Sequence, residues 1–295
     1  MGNPIFNRSG FFNGQQPAPV PVQPQQYGQN PYPQQYSQQQ YGQQSYGQQP
    51  YGQNPYQQQY GQQPNQYEQF QPQAQAGTKL MTLDDVITKT AISLIMVAGV
   101  AAVAYLMLPL AFVFPALIAS SLLGLVTVFI VSARRTVSPV GLFVYAIVEG
   151  VFVGAFTKVF EYQYPGIATQ AVLATFVVAG VTLAAYKFFN IRVTPKFRRM
   201  VFIATAAFAV LMLGNFVFSL ISGSAGMRGG ALGLLVAVVA CGLAVMNLVT
   251  DFDYVERGIA SRAPASESWR AALGITVTMV WLYTELLRIL SYFRR

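Results

Sequence analysis

The sequence predicts an all-α integral membrane protein, a bundle of seven transmembrane helices preceded by a disordered N-terminal tail. Three observations predict it. Seven apolar segments crowd residues 90–290, each near the ~20 residues that a helix needs to cross ~30 Å of hydrocarbon. Only 9% of the residues are charged, whereas a soluble domain carries about 25%. The chain before residue 79 has a different composition altogether, so the expected division is a tail over 1–78 and a membrane domain over 79–295.

From residue 15 to 76 the tail is built of Gln, Tyr, Pro and Gly, with Glu68 its single charge. Nine tyrosines lie between Tyr27 and Tyr67, and the unit Tyr-Gly-Gln recurs irregularly at Tyr27, Tyr41, Tyr46, Tyr51 and Tyr60. Such a tract lacks the aliphatic surface that would offset the entropy of ordering it, so it reads as disordered and low in complexity. It is either a passive tail or a cytoplasmic arm that acts through Tyr stacking. The start, Met1-Gly2-Asn3-Pro4-Ile5-Phe6, has no basic stretch ahead of an apolar core and does not read as a signal peptide. Phe6 stands where a myristoylation site needs Ser or Thr.

Thr82-Leu83-Asp84-Asp85 opens the membrane region, with Thr82 as a helix cap and both acids near the positive end of the helix dipole. The apolar segments are expected at 90–108, 114–132, 140–157, 168–188, 200–221, 231–249 and 269–290. Ser138-Pro139 and Thr194-Pro195 pair a capping hydroxyl with a proline at the first helical position, which starts helices three and five. Tyr164-Pro165-Gly166 breaks the chain between helices three and four.

Lys and Arg set the orientation. With the N-terminus cytoplasmic, the inside collects every cation except Lys158, Arg228, Arg288, Arg294 and Arg295, which supports the N-in arrangement. The terminal Arg294-Arg295 opposes it: either seven full spans place this pair outside, or the last segment re-enters. The net charge of +8 is thereby explained by anionic lipid, and no nucleic-acid partner is expected.

The chain contains no His and a single Cys, Cys241. Histidine-based zinc sites, Ser–His dyads and imidazole switching are excluded, as is an internal disulfide. Helix seven lacks the lysine that a retinal Schiff base needs. Gly223-Ser224-Ala225-Gly226 has no histidine base for its serine, so it reads as a flexible turn. No cofactor, resident metal or enzymatic activity is expected.

What remains is acid. Carboxylates are costly in hydrocarbon and mark ion paths, proton sites or paired charges. Glu149 lies near the middle of helix three, beside Gly150 and Gly154, whose spacing lets another helix approach closely. It is either a packing carboxyl or a proton or cation ligand. Asp251 and Asp253 stand at the end of helix six; at i and i+2 they point to different faces, one toward the bundle and the other toward cytoplasmic water. Glu285, in helix seven, has Arg288 at i+3 as a local ion-pair partner. Alternatively Glu285 meets an Asp of helix six. Two close carboxylates cannot both ionise cheaply, so they would share a proton as a latch or bind a divalent cation.

The stretches Met81-Thr82-Leu83-Asp84-Asp85-Val86, Glu149-Gly150-Val151-Phe152-Val153-Gly154, Tyr164-Pro165-Gly166-Ile167, Arg192-Val193-Thr194-Pro195-Lys196-Phe197, Asp251-Phe252-Asp253-Tyr254-Val255-Glu256 and Leu282-Tyr283-Thr284-Glu285 carry a resemblance. From about residue 81 to 295 the chain resembles the Bax inhibitor-1 family, in its bacterial, actinobacterial-type branch. The resemblance implies a seven-helix bundle with the last helix near its centre, in the bacterial plasma membrane. It also implies a pH-sensitive leak pathway for calcium or other cations. The family pattern has an Asp at the end of helix six and an Asp in helix seven that together sense protons. Asp251 matches the first, with Asp253 as the alternate, and Glu285 stands where the second would be. Three departures are visible: Glu replaces Asp in helix seven, Arg288 adds a cation beside it, and the connection from Asp253 to Trp269 is long. If helix seven starts at Trp269, Glu285 lies about 24 Å along its axis, so the pair can meet only if helix six runs past residue 249 or helix seven starts later. The competing expectation is a non-conducting regulatory or scaffold protein that binds other membrane proteins, such as a membrane protease.

Overall fold

A computed structural model describes residues 79–294 apart from Asn190 and Ala225. The low-complexity reading of residues 1–78 lies outside the described residues. Among those described, seven helices are long and apolar enough to cross a membrane. They are α1 Leu83–Met107, α2 Leu110–Ala133, α3 Pro139–Gln163, α4 Ile167–Phe188, α5 Pro195–Ser222, α6 Gly230–Ala260 and α7 Glu267–Phe293, with a short 3-10 turn at Gly226–Arg228.

The helix starts follow the local chemistry of the sequence. Thr82 Oγ1 accepts from the Asp85 amide at 3.2 Å, Ser138 Oγ from the Gly141 amide at 3.1 Å and Thr194 Oγ1 from the Phe197 amide at 3.2 Å. These hydroxyls satisfy amides that have no partner within their helices. Gly166 adopts a φ of 82°, which a side chain resists, and so turns the chain from α3 into α4. The Glu161 carboxylate receives the Gly166 amide at 2.5 Å and the Ala168 amide at 2.9 Å.

Two helix ends are closed by cations from other helices. Lys158 of α3 donates to the Tyr105 and Leu108 carbonyls at the end of α1, at 2.8 and 2.6 Å. Arg270 of α7 donates to the carbonyls of Ser132, Arg134 and Arg135 at the end of α2, at 3.4, 2.9 and 2.7 Å. In each case a fixed positive charge meets the negative end of a helix dipole.

The largest boundary difference is in α6. The expected end at residue 249 rested on the acids that follow, yet α6 continues through Asp251 and Asp253 to Ala260. The helix continues because both acids are buried with partners, as described below. The stretch after Asp253 that looks long in sequence is therefore mostly helix. The remaining connection is pinned by pairing with the segment before α1: Met81 N donates to Ala263 O at 2.8 Å and Ala265 N to Lys79 O at 2.7 Å.

Burial is concentrated in α7, which packs against α1, α3, α4 and α6 and supplies residues to both core clusters. By contrast α5 buries only Val201. Its apolar surface is what a helix in lipid presents, because hydrocarbon outside removes the reason to hide apolar side chains. The last helix is thus the centre of the packing, as the family resemblance implied.

Candidate functional site

α7 carries buried polar side chains on more than one face. Thr276 and Tyr283 meet α1 and α3, Thr284 bonds within its own helix, and Thr278 and Glu285, seven residues apart, form a polar line toward α6 and the turn before it. Each polar group in such a place needs a partner, since hydrocarbon offers none. Thr276 Oγ1 pairs with Ser93 of α1, and Tyr283 with Thr157 of α3 at 2.8 Å. Thr278 Oγ1 donates to Asp251 Oδ2 at 2.6 Å. Asp251 is wholly buried, which makes it the acid most deeply enclosed in the helix-six–helix-seven contact.

Glu285 does not share this level. It follows Thr278 by seven residues, which is about 10 Å along the helix axis. Extending α6 past residue 249 meets the condition set for the Asp251–Glu285 pair, yet the two helices cross in a register that puts Thr278 opposite Asp251. The carboxylate of Glu285 is taken instead by Arg228, whose Nη1 lies 3.0 Å from both Oε1 and Oε2. The expected local partner Arg288 is also present, with its Nε 3.7 Å from Oε2, and its guanidinium lies 5.4 Å from the centre of the Phe156 ring. Glu285 is therefore held in an ion cluster with two arginines.

Asp251 and Asp253 do face different ways, as their i, i+2 spacing requires. Asp253, however, does not project into water. It is only 8% exposed and lies 2.8 Å from Arg257 Nη2 and 3.8 Å from Arg198 Nε of α5. Both guanidiniums lie near the Tyr254 ring, with Arg257 at 4.7 Å and Arg198 at 5.5 Å. Asp253 thus ties the first turn of α5 to α6.

Glu149 sits apart from these acids, on α3. It shares a hydrogen bond with Tyr145, one turn earlier on the same helix. The facing helix α2 makes room for it with Gly124: a Cβ there would lie 3.0 Å from Glu149 Oε2. Gly150 and Gly154 find their close neighbour in α1. A Cβ on Gly150 would fall 2.6 Å from the Val100 Cβ, and one on Gly154 would collide with the Ala101 carbonyl.

Two residues of this arrangement escaped the sequence reading, which counted both only toward the orientation of the chain. Arg270 is wholly buried and paired with Glu267 at 3.1 Å; the i, i+3 spacing of Glu267 and Arg270 at the start of an apolar helix was its signal. Arg228 had a plainer one. It is the single charged residue between Arg199 and Asp251, and a lone charge among apolar segments calls for a partner. Among the described residues, no group of three or more His, Cys, Asp or Glu side chains is placed to hold a metal ion.

No curated protein matches the chain. The family described as Bax inhibitor 1 like matches residues 3–295, so the match takes in the N-terminal region as well as the helices that carried the resemblance. With seven apolar helices packed around the last of them and a family match over nearly its whole length, this multi-pass membrane protein belongs to the Bax inhibitor 1-like family.

Proposed function

We propose that the bundle is a proton-regulated leak pathway for cations such as calcium, not an enzyme, and that Asp251 is its sensing carboxylate. The observation that carries this reading is the burial of Asp251 against Thr278, on the side of α7 that faces α6. Hydroxyls and a carboxylate are hard oxygen ligands of the kind that replace the hydration of calcium. A carboxylate that gains or loses a proton there changes the charge at the α6–α7 contact, and a change of charge in a buried site alters the balance of helix packing. Glu149, with Tyr145 and the gap at Gly124, is the second acid on the proposed route. Glu285 is assigned no sensing role, because two arginines hold its charge.

The test is calcium flux through proteoliposomes of the purified full chain, read by an enclosed indicator as the pH is changed around neutrality. Wild-type flux should vary with pH, and Asp251→Asn should flatten that dependence while keeping an acceptor for Thr278. Flux that varies equally in both proteins removes Asp251 from the sensor. A wild type that carries no ion at any pH overturns the leak reading in favour of a regulatory or scaffold protein.

A further inference from the structure

The turn between α5 and α6 puts a second cation on a carboxylate that already has one. Arg288, one turn along the same helix from Glu285, is near enough to oppose its charge. Arg228 arrives from a different element, the 3-10 turn, and makes the closer contact to both carboxylate oxygens. The Glu285 side chain is 3% exposed and that of Arg228 16%. Two guanidiniums against one carboxylate leave this end of the α7 polar line with a net positive charge. That sign repels cations, and field strength is greatest where low-dielectric walls confine it.

The turn is built to be held in place by a few contacts. Gly223 and Gly226, on the approach to Arg228, and Gly230, just after it, have φ values of 67°, 54° and 59°, so its path depends on glycine. Asn215 Oδ1 of α5 accepts from the Met227 amide at 2.7 Å, and the Tyr292 hydroxyl of α7 donates to the Arg228 carbonyl at 2.6 Å. Arg228 Nε also contacts Met212 Sδ at 3.2 Å. Gly226 and Met227 are exposed. Exposed segments held by a few polar contacts open locally before the core does.

We propose that Arg228 is an ionic plug: its guanidinium on Glu285 closes the α5–α6 end of the α7 polar line, and cations pass only when the turn withdraws it. This rests on the leak reading above. With Arg228 withdrawn, Glu285 keeps only the longer contact to Arg288, and the end of the line changes from net positive to neutral.

Calcium flux through proteoliposomes of the full chain tests it with three variants. Arg228→Gln should raise flux severalfold. Arg228→Lys keeps the charge and should stay at the wild-type rate, which a loosened fold would not allow. Tyr292→Phe keeps both charges, frees the turn and should also raise flux; it decides the matter if Arg228→Gln does not fold. A conducting wild type matched by Arg228→Gln and Tyr292→Phe overturns the plug alone. Flux absent from wild type and all three variants overturns the leak reading, and the plug with it.

Discussion

Arg270 is wholly buried, yet its charge is matched on two sides. Glu267 neutralises it at 3.1 Å, and three carbonyls at the end of α2 accept its remaining protons. Removing such a cation leaves Glu267 buried without a partner and strips α2 of its cap. Truncating one member of a buried pair costs about 3–5 kcal/mol, so Arg270→Ala should lower the melting temperature in detergent sharply. Arg270→Lys should recover part of the loss, since a lysine keeps the charge without the planar fork that reaches several carbonyls. Thr278→Val is a second test at this scale. It removes the hydroxyl at 2.6 Å from Asp251, at a cost of about 0.5–1.5 kcal/mol for one lost hydrogen bond, and a melt beside that of Asp251→Asn measures it.

At the scale of elements, the contact between α1 and α3 depends on the absence of two side chains. Gly150 and Gly154 lie against the α1 backbone so closely that a Cβ at either position meets atoms of Val97, Val100, Ala101 or Ala104. Gly154→Val should destabilise the bundle by about 1–3 kcal/mol, the range for overpacking. Gly180→Ala in α4 is the matched control: a Cβ there meets nothing within 4 Å, so a thermal melt should show it unchanged or slightly raised. Gly124 belongs to the same class with a different consequence. A methyl there presses on Glu149 Oε2, so Gly124→Ala should alter calcium flux more than it alters the melt. The proposed role of Glu149 is lost if flux stays at the wild-type level.

At the scale of the whole molecule, a chain that crosses a membrane seven times has its two ends on opposite sides. The distribution of Lys and Arg predicts which side is which. An enzyme reporter that works only outside the cytoplasm should be active when fused after Arg295 and silent when fused before Met1. Activity at neither end would mean that the last segment re-enters. The N-terminal region can be tested by flux in proteoliposomes and by co-purification from membranes. Deleting residues 1–78 should leave calcium flux intact if the conducting unit is the helix bundle, whereas loss of bound membrane proteins would mark the region as an interaction arm.

Much of the fold was legible because its causes are local. Apolar runs of membrane length, hydroxyl caps before proline and a positive-φ glycine each act within a few residues, and those features mark the helices and their starts. The end of α6 was not legible, because acids in sequence look like a helix entering water. Only burial of Asp251 beneath Thr278 and of Asp253 between Arg198 and Arg257 makes it sensible to continue the helix. The lone Arg228 and the Glu267–Arg270 spacing signalled that partners must exist without saying which.

The sequence by itself determined the family, the medium in which the chain resides and the identity of the acids that hydrocarbon makes costly. Tertiary structure decided how those acids are paired. Helical periodicity sets which residues share a face, but the register of α6 against α7 is a property of two surfaces packing together. That register puts Asp251 with Thr278 and leaves Glu285 two turns away, in the grip of Arg228.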